Sequence, residues 1–172
     1  LLQAGRSLAC LQIGVLAAAG VASVRVRVPR LRLVRARSSG DPFIDAAFAC
    51  VADAVGSMGG VAVTAEPEGL ANALADDAVD AVVVVGGTGS GRNDATVHAL
   101  ASVGKVHVHG IALLPGETTA VGTIGSRPVL ALPGRLDAAL AAWHLLGHAM
   151  LARLADSREP PRLRTVKLTH KV

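Results

Sequence analysis

Five consecutive apolar residues, Ala81-Val82-Val83-Val84-Val85, run without a polar break into Gly86-Gly87-Thr88-Gly89-Ser90-Gly91. Unbroken β-branched runs of this length suit a strand buried on both faces, which is the central position of a parallel sheet. Parallel neighbours need crossover connections, and those are right-handed and usually helical. The flanking sequence offers such connections. Residues 43–57 repeat apolar side chains at helical spacing, Gly59-Gly60 interrupts them, and 61–64 (VAVT) reads as a short strand. Pro67 opens a further helix over 68–76 that leads through Asp80 into the central strand.

Downstream, the pattern predicts a helix over 94–102, a strand over 105–110, a hairpin across 119–132 and a long helix over 136–154. Upstream it predicts a helix over 6–19 with Gly20 as its C-cap, then two strands, 24–28 and 31–36, separated by Pro29. The expected fold is α/β, a three-layer α/β/α sandwich with a mostly parallel sheet. Residues 1–22 form the helix leading in, 23–155 the α/β domain, and 156–172 a linker and the start of a C-terminal β element. Pro160-Pro161 marks that linker.

At 172 residues the chain suits one domain. Half of it is apolar (51%) but only three residues are aromatic, so the core must be built from Ala, Val and Leu on closely packed layers. The net charge of +4 is unevenly spread: seven arginines precede the first acid, Asp41, and from there to Asp94 nine acids meet one base, Arg92. Arg25, Arg27, Arg30, Arg32, Arg35 and Arg37 lack the interleaved aromatics on which bases stack, so they read as a solvated strand face and no nucleic-acid partner is expected. Cys10 and Cys50 have no second Cys or His at ligand spacing and read as buried reduced thiols, which fits a cytoplasmic protein. The apolar run from Leu8 to Ala22 is too short to span a bilayer, and neither export nor a membrane partner is expected.

The glycine-rich loop carries the chemistry. It leaves the carboxyl end of a parallel strand, where open α/β sheets bind ligands, and its amides can approach a phosphate or another oxyanion together with the positive end of the next helix. Thr88 and Ser90 add hydroxyl donors. Asp94 either caps that helix or turns outward to hold Mg²⁺ or a ligand N–H.

This loop, GGTGSGRND, together with HGIALLPGETTAVGTIGSRPVLALPG at 109–134, resembles the molybdopterin-binding domain shared by molybdopterin adenylyltransferases, molybdopterin molybdenumtransferases and gephyrin. The first segment has the adenylyltransferase form. The second follows the molybdenumtransferase order of HG, a hydrophobic pair, a PG turn, a strand pair, an LPG turn and a long helix. Residues 13–34 and 158–172 are similar to the segments that flank this domain in molybdenumtransferases, which implies the central portion of a longer enzyme.

The resemblance implies molybdopterin as substrate, with Mg²⁺ and molybdate as accompanying ions and a homo-oligomer, dimeric or trimeric. Carried over residue by residue, Gly86, Gly87, Thr88, Gly89, Ser90 and Gly91 receive the pterin and its phosphate. Pro115, Gly116, Pro133, Gly134 and Arg135 frame the pocket, Asp94 is catalytic, and Asp94 and Asp41 are the metal positions. Ser39-Gly40-Asp41 stands for a usual TGDEL segment, and Asp41 or Asp45 is either a ligand or a helix cap. Leu114 and Glu117 replace the lysines that flank the PG turn in the family. Molybdate insertion is the leading reading; adenylyl transfer from MgATP and a non-catalytic scaffold are the alternatives.

The remaining histidines read as structural. His107 and His109 share a strand face without a third ligand, and His109 is expected to support the turn at Gly110. His144 and His148, four apart on a helix, read as a solvated or interface face, and Trp143 as core packing or a subunit contact.

Overall fold

The computed structural model of the chain describes residues 3–37, 40–64, 70–75, 78–89 and 95–158. The valine run is the sheet's inner strand, as its composition requires. Among the described residues six strands form one sheet in the order β2-β1-β3-β6-β5-β4. They are β1 (Arg30–Arg35), β2 (Val61–Thr64), β3 (Ala81–Val85), β4 (Lys105–His109), β5 (Ala120–Ile124) and β6 (Arg127–Leu132). β2, β1, β3 and β6 pair in parallel, and β5 runs against β6 and β4, so the sheet is mostly parallel with one reversed strand. All five residues of β3 are buried.

Helices cover both faces. On one, α2 (Pro42–Ser57) through Ile44, Ala47, Phe48, Val51 and Val55, and the last helical segments through Ala139, Ala142, Trp143 and Leu151, pack against Leu31, Leu33, Val83 and Leu132. On the other, Leu74 of α3 (Leu70–Ala75) and Leu100 of α4 (Thr96–Val103) meet Val34, Val82, Val84 and Ala131. The alternation of Val82 and Val84 with Val83 and Val85 between the two clusters is the pleat of a strand buried twice. The architecture is the α/β/α sandwich. β5 and β6 are joined by Gly125-Ser126, and Gly125 has φ 59°, as a two-residue hairpin loop demands.

Several expectations need correction. Residues 24–28 alternate Val and Arg but form no strand, and Val24, Val26 and Val28 remain 45–60% exposed. The neighbours explain this: β2 begins opposite Arg30 and β3 opposite Leu31, so neither strand extends alongside the chain upstream. The first helix, α1, covers Cys10–Ala18 rather than 6–19 and buries none of its residues; Gly20 follows its C-cap with φ 74°. Cys10 and Cys50 are therefore exposed, not buried, the first on α1 and the second off the apolar stripe of α2. Of the arginine ladder, Arg35 is no solvated residue: its Nε lies 2.8 Å from Asp45 Oδ1 and its guanidinium stands 3.8 Å over the Phe48 ring. No helix among the described residues is long and apolar enough to cross a membrane. Of the linker and β element expected at 156–172, residues 159–172 lie outside the described residues, as does the start of the helix at Pro67.

The long terminal helix is interrupted. α5 (Leu136–Ala142) and α6 (His148–Leu154) are joined by a π-helical turn, Trp143–Gly147. Trp143 is fully buried, and a Cβ at Gly147 would overlap its indole ring, so the glycine makes room for the aromatic within the same turn. His144 and His148 lie with ring centroids 4.8 Å apart, and His148 also meets the Trp143 edge at 6.1 Å. Burial, and secondarily the neighbouring His144, hold the His148 pKa below the usual histidine value. Its folded pKa is thus below its unfolded one, so its contribution is present above the unfolded value and lost as pH falls through the folded value. Thermal midpoints are therefore expected to decline as pH drops below about 6.5, and the decline should flatten in His148→Leu. An unchanged slope in that variant would refute the assignment.

Candidate functional site

From the carboxyl end of β1 the chain departs through α2 to the β2 edge; from that of β3 it departs through α4 toward the β4 edge. The connections diverge there, leaving a crevice of the kind where open α/β sheets place ligands. Three segments meet at its rim: residues 36–37 and 40–41 after β1, 86–89 after β3 and 133–135 after β6. Backbone pairing carries past the strand ends to hold them, with Ala36 N–H donating to Val85 O at 3.0 Å and Gly86 N–H to Leu132 O at 2.9 Å. The resulting cleft has a volume of about 770 Å³.

Asp41, Gly87, Thr88, Gly89, Pro133, Gly134 and Arg135 all line this one cleft. Residues from three segments, each more than forty positions from the next in sequence, thus converge. Gly86 lies just behind: a Cβ at Gly134 would come within 3.6 Å of the Gly86 Cα, so the two turns are in contact. Pro115 and Gly116 do not line the cleft, whereas the next two residues, Glu117 and Thr118, do. Ser90, Gly91, Asp94 and Ser39 lie outside the described residues.

The glycine loop is fastened to α4. Thr96, fully buried, donates its hydroxyl to Gly86 O at 2.8 Å and its N–H to Gly87 O at 3.1 Å. The helix begins at Thr96 with Ala95 in the N-cap position and no side-chain cap, not at Asp94 as expected. Its first amide is spent on the loop. Gly87 has φ 68°, and a Cβ there would overlap the Thr96 hydroxyl and come within 3.0 Å of Ala36 Cβ. Glycine is required by conformation and by space together.

The charged side chains are largely engaged with one another. Asp41 caps α2, its Oδ1 accepting from Phe43 N–H at 3.0 Å and Ile44 N–H at 3.3 Å. Arg135 clasps Asp137 through Nε (3.2 Å) and an NH2 contact of 2.6 Å. That guanidinium and the Ala138 amide hold the Asp137 carboxyl below its usual pKa, and Asp137 raises Arg135 in return. Glu117 folds onto its own turn, accepting from Gly116 N–H at 3.0 Å, and these backbone bonds lower its pKa. The Glu117 carboxylate is thereby a turn cap. Thr88 is 1% exposed, and its hydroxyl lies 3.1 Å from that of Thr118.

Sequence reasoning missed Thr96, Thr118, Asp137, Phe43 and the reach of His109. Asp137 alone had a local signal, two residues after Arg135 at a helix start. His109, expected to support its own turn, instead places Nε2 2.9 Å from Thr88 O. Among the described residues no three His, Cys, Asp or Glu side chains gather to hold a metal ion.

Comparison with known proteins accords with this geometry. Residues 45–153 match the family described as a probable molybdopterin binding domain. A protein of Methanocaldococcus jannaschii named for molybdopterin biosynthesis is 38% identical over 55 residues, 32% of this chain and 14% of that protein. The molybdopterin biosynthesis MoeA protein of Pyrococcus horikosii superposes with a TM-score of 0.71 at 29% identity, over 88% of this chain and 42% of that one. The present chain thus spans less than half the length of either relative. The Mog protein of Mycobacterium ulcerans shares the fold at 19% identity, TM-score 0.56, over 74% of this chain and 97% of that one. With more than half of its length matched by the family model, the chain belongs to the molybdopterin-binding domains of molybdenum-cofactor biosynthesis.

Proposed function

We propose that the domain binds molybdopterin, or its adenylylated form, in the cleft between the carboxyl ends of β1 and β3, and takes part in inserting molybdate into that ligand. The observation that carries this reading is the cleft: about 770 Å³, placed at the divergence of the connections and walled by glycine backbone from two turns. That volume suits a small-molecule ligand. Phe43, 67% exposed on the cleft wall, offers an apolar surface to a planar ring.

The backbone of residues 86–91 and the Ser90 hydroxyl receive the phosphate, Pro133-Gly134 frames the pterin with Glu117 and Thr118 on the side expected of Pro115-Gly116, and Asp94 positions the reacting end. The Thr88 hydroxyl is already bonded to Thr118, so Thr88 contributes through its backbone. Among the described residues Arg37 and Arg135 share the cleft with Asp41, Glu117 and Asp137, so their side-chain charge adds no surplus of cations for an anionic ligand. Oriented amides therefore matter more than Coulombic attraction, and catalysis is by positioning and electrostatic stabilisation. Mg²⁺, where used, arrives with the substrate phosphates. A homo-oligomer fits the same reading, with the exposed Leu11 and Ile13 of α1 as an available surface.

Adenylyl transfer from MgATP is the second reading, favoured by the Gly86-Gly87-Thr88-Gly89 form of the loop. Molybdate-dependent release of AMP from adenylylated molybdopterin supports the first reading, and formation of that adenylylated product supports the second. For binding itself, titration of the chain with molybdopterin should give saturable binding that Asp94→Ala weakens at least about tenfold, the loss of a charge-assisted contact. Equal affinity in the two proteins would remove Asp94 from the site.

A further inference from the structure

Thr88 sits at the middle of the glycine loop and is gripped from outside it. His109 Nε2 lies 2.9 Å from the Thr88 carbonyl oxygen, and the Thr118 and Thr88 hydroxyls are 3.1 Å apart. His109 is the last residue of β4, and Thr118 belongs to the excursion that runs from it to β5. That excursion is closed on itself: Gly110 N–H donates to Thr119 O at 2.9 Å, Ile111 N–H to Glu117 O at 3.0 Å, and the Thr119 hydroxyl to Gly116 O at 2.7 Å. A braced turn is thereby attached to the loop at two points.

A carbonyl oxygen only accepts, so the bond to Thr88 requires the proton on His109 Nε2. His107 does something else, placing its Nε2 3.0 Å from Thr123 Oγ1 across the β4–β5 pair. The ladder shifts register between Val106 and Val108, one residue before His109, and such irregularities re-aim side chains beside sites.

The Thr88 carbonyl belongs to the same planar unit as the Gly89 amide, and in a trans peptide the C=O and N–H point in opposite directions. Next to a glycine that plane rotates easily unless something holds it. We propose that His109 is a positioning residue: by fixing the Thr88 carbonyl it directs the Gly89 N–H away from β4, toward an anionic ligand in the cleft. The assignment rests on the cleft being the molybdopterin site. It also gives the HG segment a purpose distinct from its own turn.

Three proteins test it: the wild-type chain, His109→Ala, and His109→Gln, whose amide nitrogen stands near the place of Nε2. Molybdopterin affinity is expected to fall about five- to tenfold in H109A, the worth of one hydrogen bond, and to return within about twofold in H109Q. Without ligand, amide hydrogen exchange across residues 86–89 should quicken in H109A and recover in H109Q, a rescue that general destabilisation would not produce. Wild-type binding with unchanged affinity in H109A overturns the positioning role while leaving the proposed function intact. Failure of the wild-type chain to bind overturns the proposed function and, with it, the role toward ligand. Exchange that does not respond to H109A overturns the hold on the loop in either case.

Discussion

Truncating Trp143 to alanine is expected to cost about 3–5 kcal/mol of folding stability, the range for deleting a buried aromatic. The residue is fully buried in the cluster that joins Val83, Leu132 and α2, so its removal opens a cavity at the centre of that layer. Its indole nitrogen has no hydrogen-bond partner among the described residues. Trp143→Phe should therefore be milder, because the smaller cavity is partly offset by removing an unsatisfied donor. Gly147→Ala should cost about 1–3 kcal/mol alone, since the added carbon meets the indole. In the Trp143→Ala background the same change should be neutral or gain up to about 1 kcal/mol from helix propensity. Urea unfolding of the four proteins completes the cycle, and additive losses would show that glycine and tryptophan do not share that space.

Gly87→Ala should be nearly as costly and should also reach the cleft. A residue with a side chain at φ 68° carries a penalty of about 1–2 kcal/mol. The new carbon also overlaps the Thr96 hydroxyl, whose buried 2.8 Å bond to Gly86 O must lengthen or break. A combined loss of about 2–4 kcal/mol is expected, with molybdopterin affinity reduced more than about tenfold because the loop must move. Gly134→Ala is the control. Its nearest non-local atoms would be 3.5 Å away, ordinary contact, so stability should change by less than about 1 kcal/mol. Equal losses in the two variants, measured by chemical denaturation, would refute the account of Gly87.

What the sequence disclosed follows from how local each signal is. The valine run, the glycine turn after it and the β5–β6 hairpin are dictated by neighbours within a few residues, and the structure has all three. The family resemblance, rather than any local pattern, put Asp41, Gly87, Thr88 and Arg135 at one site, and all four line the cleft. The alternation in residues 24–28 misled because a strand also needs a neighbour, and register with β2 and β3 supplies none there. Cys10 and Cys50 misled for a related reason: apolar surroundings in sequence do not say which helix face is covered. The bonds of Thr88 to His109 and Thr118 span 21 and 30 positions, and no local pattern announces them. Asp41 and Asp45 had two readings each; geometry makes one a helix cap and pairs the other with Arg35.

The pairing order also governs when the cleft can exist. β3 meets β1 through Leu31 and Ala81, and β6 through Val82 and Val129, so the floor of the cleft joins segments drawn from nearly the whole domain. Such distant pairings are slow to form, whereas the β5–β6 hairpin needs only its own turn and closes in about 1–10 μs. A chain emerging from the ribosome therefore has no complete cleft until the segment through Arg135 is free to add β6 beside β3. Ligand can stabilise the finished sheet, but it has nothing to grip while the sheet is being made.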